Sequence, residues 1–268
     1  MKLAGSTVLL TGASGGIGGA VARELARRDA SLILVGRDAG KLDALALGLD
    51  GAGRKPLLLA ADIATPGAAA SVVAQAQERA GEIDILINCA GIQTFGFFAE
   101  ETAPDTAVMF GINVIAPMAM TRALLPHMLR RRHGRIVNVG SIFGSIGFPC
   151  FASYSASKFA LRGFSEALRR ELVGSGVGVT YVAPRFTKTA FNRSAVTRMA
   201  VALKMNQDEP VVVALAVLNA IERDGHNHYL GWPEKLLVRI NSLVPHLVDG
   251  PLMKQVEQIR PFATNSTP

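Results

Sequence analysis

Tyr154 and Lys158 stand four residues apart in Ser153-Tyr154-Ser155-Ala156-Ser157-Lys158, and Ser141 lies thirteen residues before the tyrosine. On a helix, positions four apart share one face, so both side chains can reach the same small site. A free phenol ionises near pH 10, too high for efficient proton exchange around neutrality. An ammonium within a few ångströms favours the phenolate and lowers that value. A serine hydroxyl could then hydrogen-bond the oxygen that the tyrosine protonates. Taken alone, such a pair in a helix is commonly packing plus a solvated charge. It gains meaning only from the elements that position it.

The composition suits a buried parallel sheet. Of 268 residues, 49% are hydrophobic, 18% are charged and 27 are glycine, enough for one α/β domain with a large core. A formal charge of +7 and a pI near 9.8 fit acidic partners or substrates. The basic residues are scattered, however, apart from Arg130-Arg131-Arg132-His133, which reads as a helix end favoured by the dipole. No basic stripe interleaved with aromatics supports nucleic-acid binding. Cys89 and Cys150, the two cysteines, make neither a disulfide framework nor a metal-ligand pattern, and are expected as small buried groups in a reducing cytoplasm. Thr7 to Leu10 leads into a glycine loop, unlike a secretory leader. No uncharged apolar run of about 18 residues is present, so no transmembrane segment is expected.

Ser6 to Leu10 reads as a buried strand, followed by Thr11-Gly12-Ala13-Ser14-Gly15-Gly16-Ile17-Gly18-Gly19 and a helical stretch, Ala20 to Arg28. Strand, glycine loop and helix together make a phosphate-binding context, because glycine backbones approach a pyrophosphate and helix N-termini offer free N–H groups. Ser31 to Val35 is a second strand ending in Gly36-Arg37-Asp38. An acidic residue there would bind the ribose hydroxyls of NAD, and an arginine the 2′-phosphate of NADP. Arg37 favours NADP(H), with NAD(H) possible. Asp38 is also suited to cap a helix from Ala39 to Leu47.

Leu57 to Ala60 is a third strand, with Asp62 and Ile63 just after it. A helix from Pro66 to Ala80 leads to a fourth strand, Ile83 to Ile87, ending in Asn88-Cys89-Ala90-Gly91. Thr102 to Arg132 is a long helical region carrying Asn113, with breaks or kinks expected at Pro117 and Pro126. Arg135 to Val139 is the fifth strand, with Ser141 at its end, and Ser153 to Val173 is the helix of Tyr154 and Lys158. Val177 to Val182, ending in Ala183-Pro184-Arg185, is a sixth strand. Residues 186–208 read as a partly helical flap, Pro210 to Glu222 as a helix and His228 to Leu230 as a short last strand.

This alternation predicts one doubly wound Rossmann-type domain, α/β, with a parallel sheet of about seven strands flanked by helices. Right-handed crossovers bring Ser141, Asn88, Arg185 and the glycine loop to one crevice. Residues 1–232 are expected to form this dinucleotide-binding and catalytic domain. Residues 233–268 form a C-terminal extension, packed on the domain or at a subunit interface. In it Leu236, Leu237, Ile240, Leu243, Val244, Leu247 and Val248 recur at helical spacing, giving one apolar stripe bent at Pro245. Membrane attachment is the alternative for a basic amphipathic helix, but only Lys235, Arg239 and His246 supply charge.

Over residues 5–231, the motifs resemble in order and spacing those of short-chain dehydrogenases/reductases of the single-domain type. Thr11-Gly12-x-x-x-Gly16-x-Gly18 resembles the cofactor fingerprint, and Asn88-Cys89-Ala90-Gly91 the Asn-Asn-Ala-Gly motif. Asn113, Ser141, Tyr154 and Lys158 resemble the catalytic tetrad. Pro184 with Thr189 resembles a Pro-Gly-x-x-x-Thr motif. The resemblance implies that Tyr154 is the general acid/base and that Ser141 orients the carbonyl. Lys158 would bind the nicotinamide ribose and lower the tyrosine pKa, while Asn113 would hold a water relaying protons to solvent. Ser14, Ile17, Asp62, Ile63, Thr187 and Thr189 would join the cofactor contacts, with Asp62 at the adenine and Thr189 at the carboxamide. A homodimer or homotetramer is implied as well.

Three departures from the family pattern stand out. Cys89 replaces an asparagine, and Gly15 occupies a loop position where many NADP users carry a cation. Arg185 replaces the glycine after Pro184, either as a surface residue facing solvent or as a partner for an anionic substrate group. Phe95, Phe97, Phe98, Phe143, Phe148, Phe151, Phe186 and Phe191 concentrate in loops near the strand ends, which favours an apolar pocket. Lys188, Arg193, Arg198 and Lys204 make the flap basic. The function expected is an NADP(H)-dependent carbonyl reductase or alcohol dehydrogenase for a bulky apolar ketone or secondary alcohol, a 3-oxoacyl thioester among them. An NAD-dependent dehydrogenase working oxidatively, or a non-catalytic dinucleotide sensor, are the rival readings.

Overall fold

The computed structural model describes residues 1–49 and 55–264. Short apolar runs rich in Val, Ile and Leu become strands because each alternate residue is buried on an opposite face. Val8 and Leu10 join one core layer and Leu9 the other; Ile85 and Ile87 likewise oppose Leu86. Among the described residues the strands are β1 (Thr7–Thr11), β2 (Ser31–Gly36), β3 (Leu57–Ala60), β4 (Ile85–Asn88), β5 (Gly134–Val139), β6 (Val177–Ala183) and β7 (Asn227–Tyr229). They form one parallel sheet in the order β3-β2-β1-β4-β5-β6-β7.

The order reverses between β1 and β4, and the register is level there. Thr11 pairs with Asn88, and Asn88 with Asn138, so these three strands end in one row. A crevice therefore opens beyond that row, at the switch point of the topology.

Helices cover both faces. The helices α1 (Gly16–Ala26), α2 (Ala39–Leu47) and α3 (Ala68–Ala80) alternate with the first strands. After β4 come α4 (Ala103–Phe110) and α5 (Ala116–Arg131), joined by a π-helical turn at Gly111–Ile115. Then follow α6 (Ala152–Glu171), α7 (Ser194–Ala202), α8 (Pro210–Glu222), α9 (Glu234–Leu243) and α10 (His246–Ala263). On one face α1 packs against α8, burying Val21, Leu25, Val217 and Ile221; on the other, α3 packs against α5 with Val72, Val73, Met120 and Leu124. Each such buried side chain is worth about 1.5–3 kcal/mol against exposure.

Three boundaries differ from expectation. The fourth strand starts at Ile85 and not Ile83; at Asp84 the carboxylate accepts the Thr7 N–H at 2.9 Å while the backbone N–H donates to the Thr7 carbonyl at 2.9 Å. The first helix starts at Gly16 and not Ala20, so half of the glycine loop is its first turn. The long helical run is not broken at Pro126, which lies inside α5, and Pro117 falls in the first turn of α5, where a missing N–H is tolerated. The run Ala103–Arg131 is long and apolar enough to cross a membrane, yet half of its most apolar 18-residue window is buried in the protein, as in a core helix.

The tail is not one stripe. The chain leaves helical geometry at Val244 and restarts at His246, which resets the period. Val238, Val248 and Ile259 turn inward, whereas Leu243 and Leu247, expected in the buried stripe, are exposed. Residues 265–268 of the expected extension lie outside the described residues.

Candidate active site

The crevice is a cavity of about 720 Å³ lined by residues from Gly12 of the glycine loop to Gln255 of α10. Behind its wall stands Thr11, whose hydroxyl oxygen accepts the N–H groups of Cys89 (3.1 Å) and Ala90 (3.3 Å) and binds the loop after β4 to the end of β1. Gly12 sits at φ +66, and a Cβ there would lie 2.7 Å from the Ala90 Cα. A Cβ at Gly18 would strike the Gly12 carbonyl. Glycine is thus required for the loop to lie flat against the N-terminus of α1. Gly15, the cap residue, brings no side chain to the first-turn N–H groups, which leaves them for a ligand. Ser14, Gly16, Ile17 and Gly18 all line the cavity. Glycine edges, free helix-end donors and a long cavity fit a dinucleotide pyrophosphate.

At the far end Gly36 closes β2, and Arg37, Asp38, Asp62 and Ile63 form the rim. The Asp38 carboxylate caps α2, accepting the Lys41 N–H at 3.0 Å, and its second oxygen lies 3.7 Å from Lys41 Nζ. Lys41 also borders the cavity, a second cation that the motif reading overlooked. Its signal is its place in the first turn of α2, three residues beyond the cap, which points it back at the strand end.

The opposite wall carries the reactive groups. Ser141 follows β5, and its hydroxyl accepts the Phe143 N–H at 3.1 Å. Behind it stands Tyr181 of β6, fully buried, whose hydroxyl donates to the Ser141 carbonyl (3.2 Å) and accepts its N–H (3.3 Å). Tyr181 fixes the serine backbone, a role hidden in the sequence within an apolar strand. Lys158, 4% exposed, donates to the Val139 carbonyl at 3.4 Å, with Nζ 5.7 Å from the Tyr154 ring centre.

The electrostatics correct one expectation. Burial pushes the Tyr154 phenol up to about 12, against the lowering effect of its bond to Ser141. Burial likewise pulls Lys158 down to about 8, with Cys89 opposing. In the free protein desolvation therefore outweighs the bond to Ser141, and the phenol is held protonated. Cys89, raised by burial to about 12 despite Lys158, is a thiol.

Three residues of the candidate set do not face the cavity: Thr11, Asn88 and Asn113 act on its walls. Asn88 points between strands, its amide donating to Asn138 Oδ1 at 2.8 Å, and Asn138 donates in turn to Ser165. Asn113 lies in the π turn, fully buried, and holds Ile92 and Ser157. Pro117, four residues on, has no N–H to give the Asn113 carbonyl. Ala90, Gly91, Pro184, Thr187 and Thr189 do line the cavity. The Thr187 hydroxyl donates to the Arg185 carbonyl at 3.0 Å. Arg185 is neither solvated nor free for a substrate anion: its guanidinium is paired to Asp208 and Glu234.

The substrate end is apolar. Phe143, Phe148, Phe151, Phe186 and Phe191 line it, with the Phe143 and Phe148 rings stacked at 4.7 Å. Phe95 packs behind, on Phe151, while Phe97 lies under the Arg260 guanidinium and Phe98 is exposed. Leu237, Val248 and Leu252 of the tail complete the wall.

Comparison with known proteins agrees with this geometry. The family model for short chain dehydrogenase matches residues 6–200. The ketoacyl reductase HetN of Nostoc sp. is 36% identical over 92% of this chain and 88% of its own. A Burkholderia phymatum short-chain dehydrogenase/reductase solved in complex with NAD superposes with a TM-score of 0.84 at 26% identity, covering 92% of this chain and 96% of that one. A Sphingobium yanoikuyae short-chain dehydrogenase in complex with NADPH gives 0.78 at 31% identity, covering 93% and 95%. Sequence, sheet order and crevice lead to one family, and this chain belongs to the short-chain dehydrogenases/reductases, NAD(P)-dependent oxidoreductases.

Proposed function

We propose that the protein is an NADP(H)-dependent carbonyl reductase or alcohol dehydrogenase acting on a bulky apolar ketone or secondary alcohol. The observation that carries this reading is the convergence of Ser141, Tyr154 and Lys158 between a dinucleotide-shaped groove and a phenylalanine-lined pocket. Tyr154, held protonated by burial, donates to the carbonyl oxygen, and Ser141 orients that oxygen through its hydroxyl. Lys158 steadies the developing phenolate and holds a ribose hydroxyl, and Asn113 sets the loop that Lys158 lies against. The nicotinamide supplies or takes the hydride when bound. Thr11 holds the loop shape, while Gly12, Ser14, Gly16, Ile17, Gly18, Asp62, Ile63, Ala90, Gly91, Pro184, Thr187 and Thr189 make the groove.

NADP(H) is favoured over NAD(H) because Arg37 and Lys41 both border the ribose end, while the Asp38 carboxylate is occupied by the helix cap. The pocket's apolar lining, and the name of the ketoacyl reductase relative, support a 3-oxoacyl thioester as one substrate. Exposed Val108, Ile115 and Phe159 on α4–α6 suit a homodimer or homotetramer, and free Cys89 and Cys150 a reducing cytoplasm. A panel of ketones and alcohols assayed with NADPH, NADH and their oxidised forms, followed by nicotinamide absorbance, tests the reading. Turnover of no carbonyl with either cofactor, alongside tight dinucleotide binding, would replace it with a sensor.

A further inference from the structure

We propose that Arg185 is a positioning residue for long apolar substrates, clasping the tail to the flap so that the tail forms a fixed wall of the pocket. The proposal rests on reading the phenylalanine-lined end of the cavity as the substrate site. Arg185 leaves β6 directly after Pro184. Its Nε and Nη2 donate to the two oxygens of Asp208 at 3.0 and 2.8 Å, a side-on fork, and Nη1 donates to Glu234 at 3.1 Å. Asn206 adds a bond to Glu234 at 3.1 Å.

Arg185 and its partners lie on three separate segments: the end of β6, the flap and α9. Asp208 closes the flap, where its carbonyl accepts the Lys188 N–H at 3.0 Å and its own N–H donates to Phe186 at 2.9 Å. Glu234 begins α9. Beneath the guanidinium, Gly231 turns at φ +88, and a Cβ there would lie 2.5 Å from Glu234 and 2.7 Å from Arg185. The chain therefore leaves room for the clasp where a side chain would block it.

Glu234 is drawn inward by this bond, which turns α9 so that Leu237, one turn on, faces the cavity. Val248, Leu252 and Gln255 of α10 line the same wall, and α10 lies against α7 of the flap. The geometry of the wall thus depends on a fork that lysine cannot reproduce. Two carboxylates against one guanidinium leave no positive charge here for a substrate anion. A short ketone placed at Tyr154 does not need this wall; a long apolar one does.

The test compares butanone with a straight-chain decanone in the wild type, Arg185→Gln, Arg185→Lys and Glu234→Gln, alongside hydrogen–deuterium exchange of the proteins without substrate. Arg185→Gln and Glu234→Gln should raise KM for the decanone at least about tenfold, the scale of a lost apolar wall, with kcat and the butanone KM within about threefold. Arg185→Lys should fall between. Amides of α9 and α10 should exchange at least about tenfold faster in both glutamine variants. Unchanged exchange across the tail in folded Glu234→Gln overturns the clasp, as does an equal loss for both ketones. If no ketone is turned over by the wild type while tail exchange quickens, the clasp stands and the substrate reading falls.

Discussion

The Asn113 side chain grips the backbone of Ile92 from both sides, its amide donating to the Ile92 carbonyl and its oxygen accepting the Ile92 N–H, each at 2.9 Å. The same amide donates to Ser157 Oγ at 3.0 Å, one residue before Lys158. A single residue of the π turn thus registers the loop after β4 against α6. Asn113→Leu keeps the branched shape and leaves these backbone groups without partners. Each of the two buried groups so orphaned costs about 1–3 kcal/mol, so the variant should lose about 2–6 kcal/mol in urea unfolding. It should also bind NADPH more weakly, because Ala90 and Gly91 move with Ile92. A variant as stable as the parent would show that water replaces the amide.

Tyr154→Phe keeps the ring and its contacts with Phe143 and Phe151 while deleting the proton donor. Turnover should fall by about 10²–10⁴-fold with the NADPH dissociation constant little changed by fluorescence titration. Near-normal turnover would remove Tyr154 from the mechanism.

The parts of this molecule legible in its sequence are the local ones. The glycine loop between strand and helix, the alternation of Val8, Leu9 and Leu10, and the four-residue spacing of Tyr154 and Lys158 depend only on neighbours along the chain. The π turn was not legible, because a helical period looks continuous from Thr102 to Arg132 and Pro117 signals only a missing donor. Tyr181 was hidden as one more strand aromatic, since its bond to Ser141 spans forty residues. The pairing of Arg185 is not legible, because its partners, Asp208 and Glu234, lie in segments with no periodic signal linking them. The tail stripe was not legible either, because the break at Val244 resets the helical period.

Lys158 is expected to oppose stability in the cofactor-free protein. Its folded pKa is about 8, against an ordinary 10.5. Between those values the unfolded chain binds more protons than the folded one, so stability rises with pH across that window. Below about pH 8 the burial penalty is fully present, roughly 3 kcal/mol for a shift of this size. Lys158→Met fills the same space without charge. At pH 7 it should be more stable than the wild type by about 1–3 kcal/mol, a gain that narrows by pH 9, while turnover is lost. Chemical denaturation at the two pH values checks this, and a methionine variant less stable at pH 7 would mean that the ammonium is satisfied where it lies.

Cofactor choice should divide between two cations. Arg37 follows the tip of β2 and Lys41 stands in the first turn of α2, both at the rim of the groove, while Asp38 between them is engaged by the Lys41 N–H at 3.0 Å. A 2′-phosphate placed there would meet a guanidinium and an ammonium, each a charge-assisted contact worth about 1.5–3 kcal/mol. Arg37→Ala and Lys41→Ala should each weaken NADPH binding by about ten- to a hundredfold and leave NADH within about threefold. Because both cations would grip one phosphate, the double variant should lose less than the sum of the two. Lys41→Ala also spares the cap, since the bond to Asp38 comes from its backbone, so helix content by circular dichroism should not change. Parallel losses for NADPH and NADH in both variants would assign the two residues to the frame of the groove and reopen the choice of NAD.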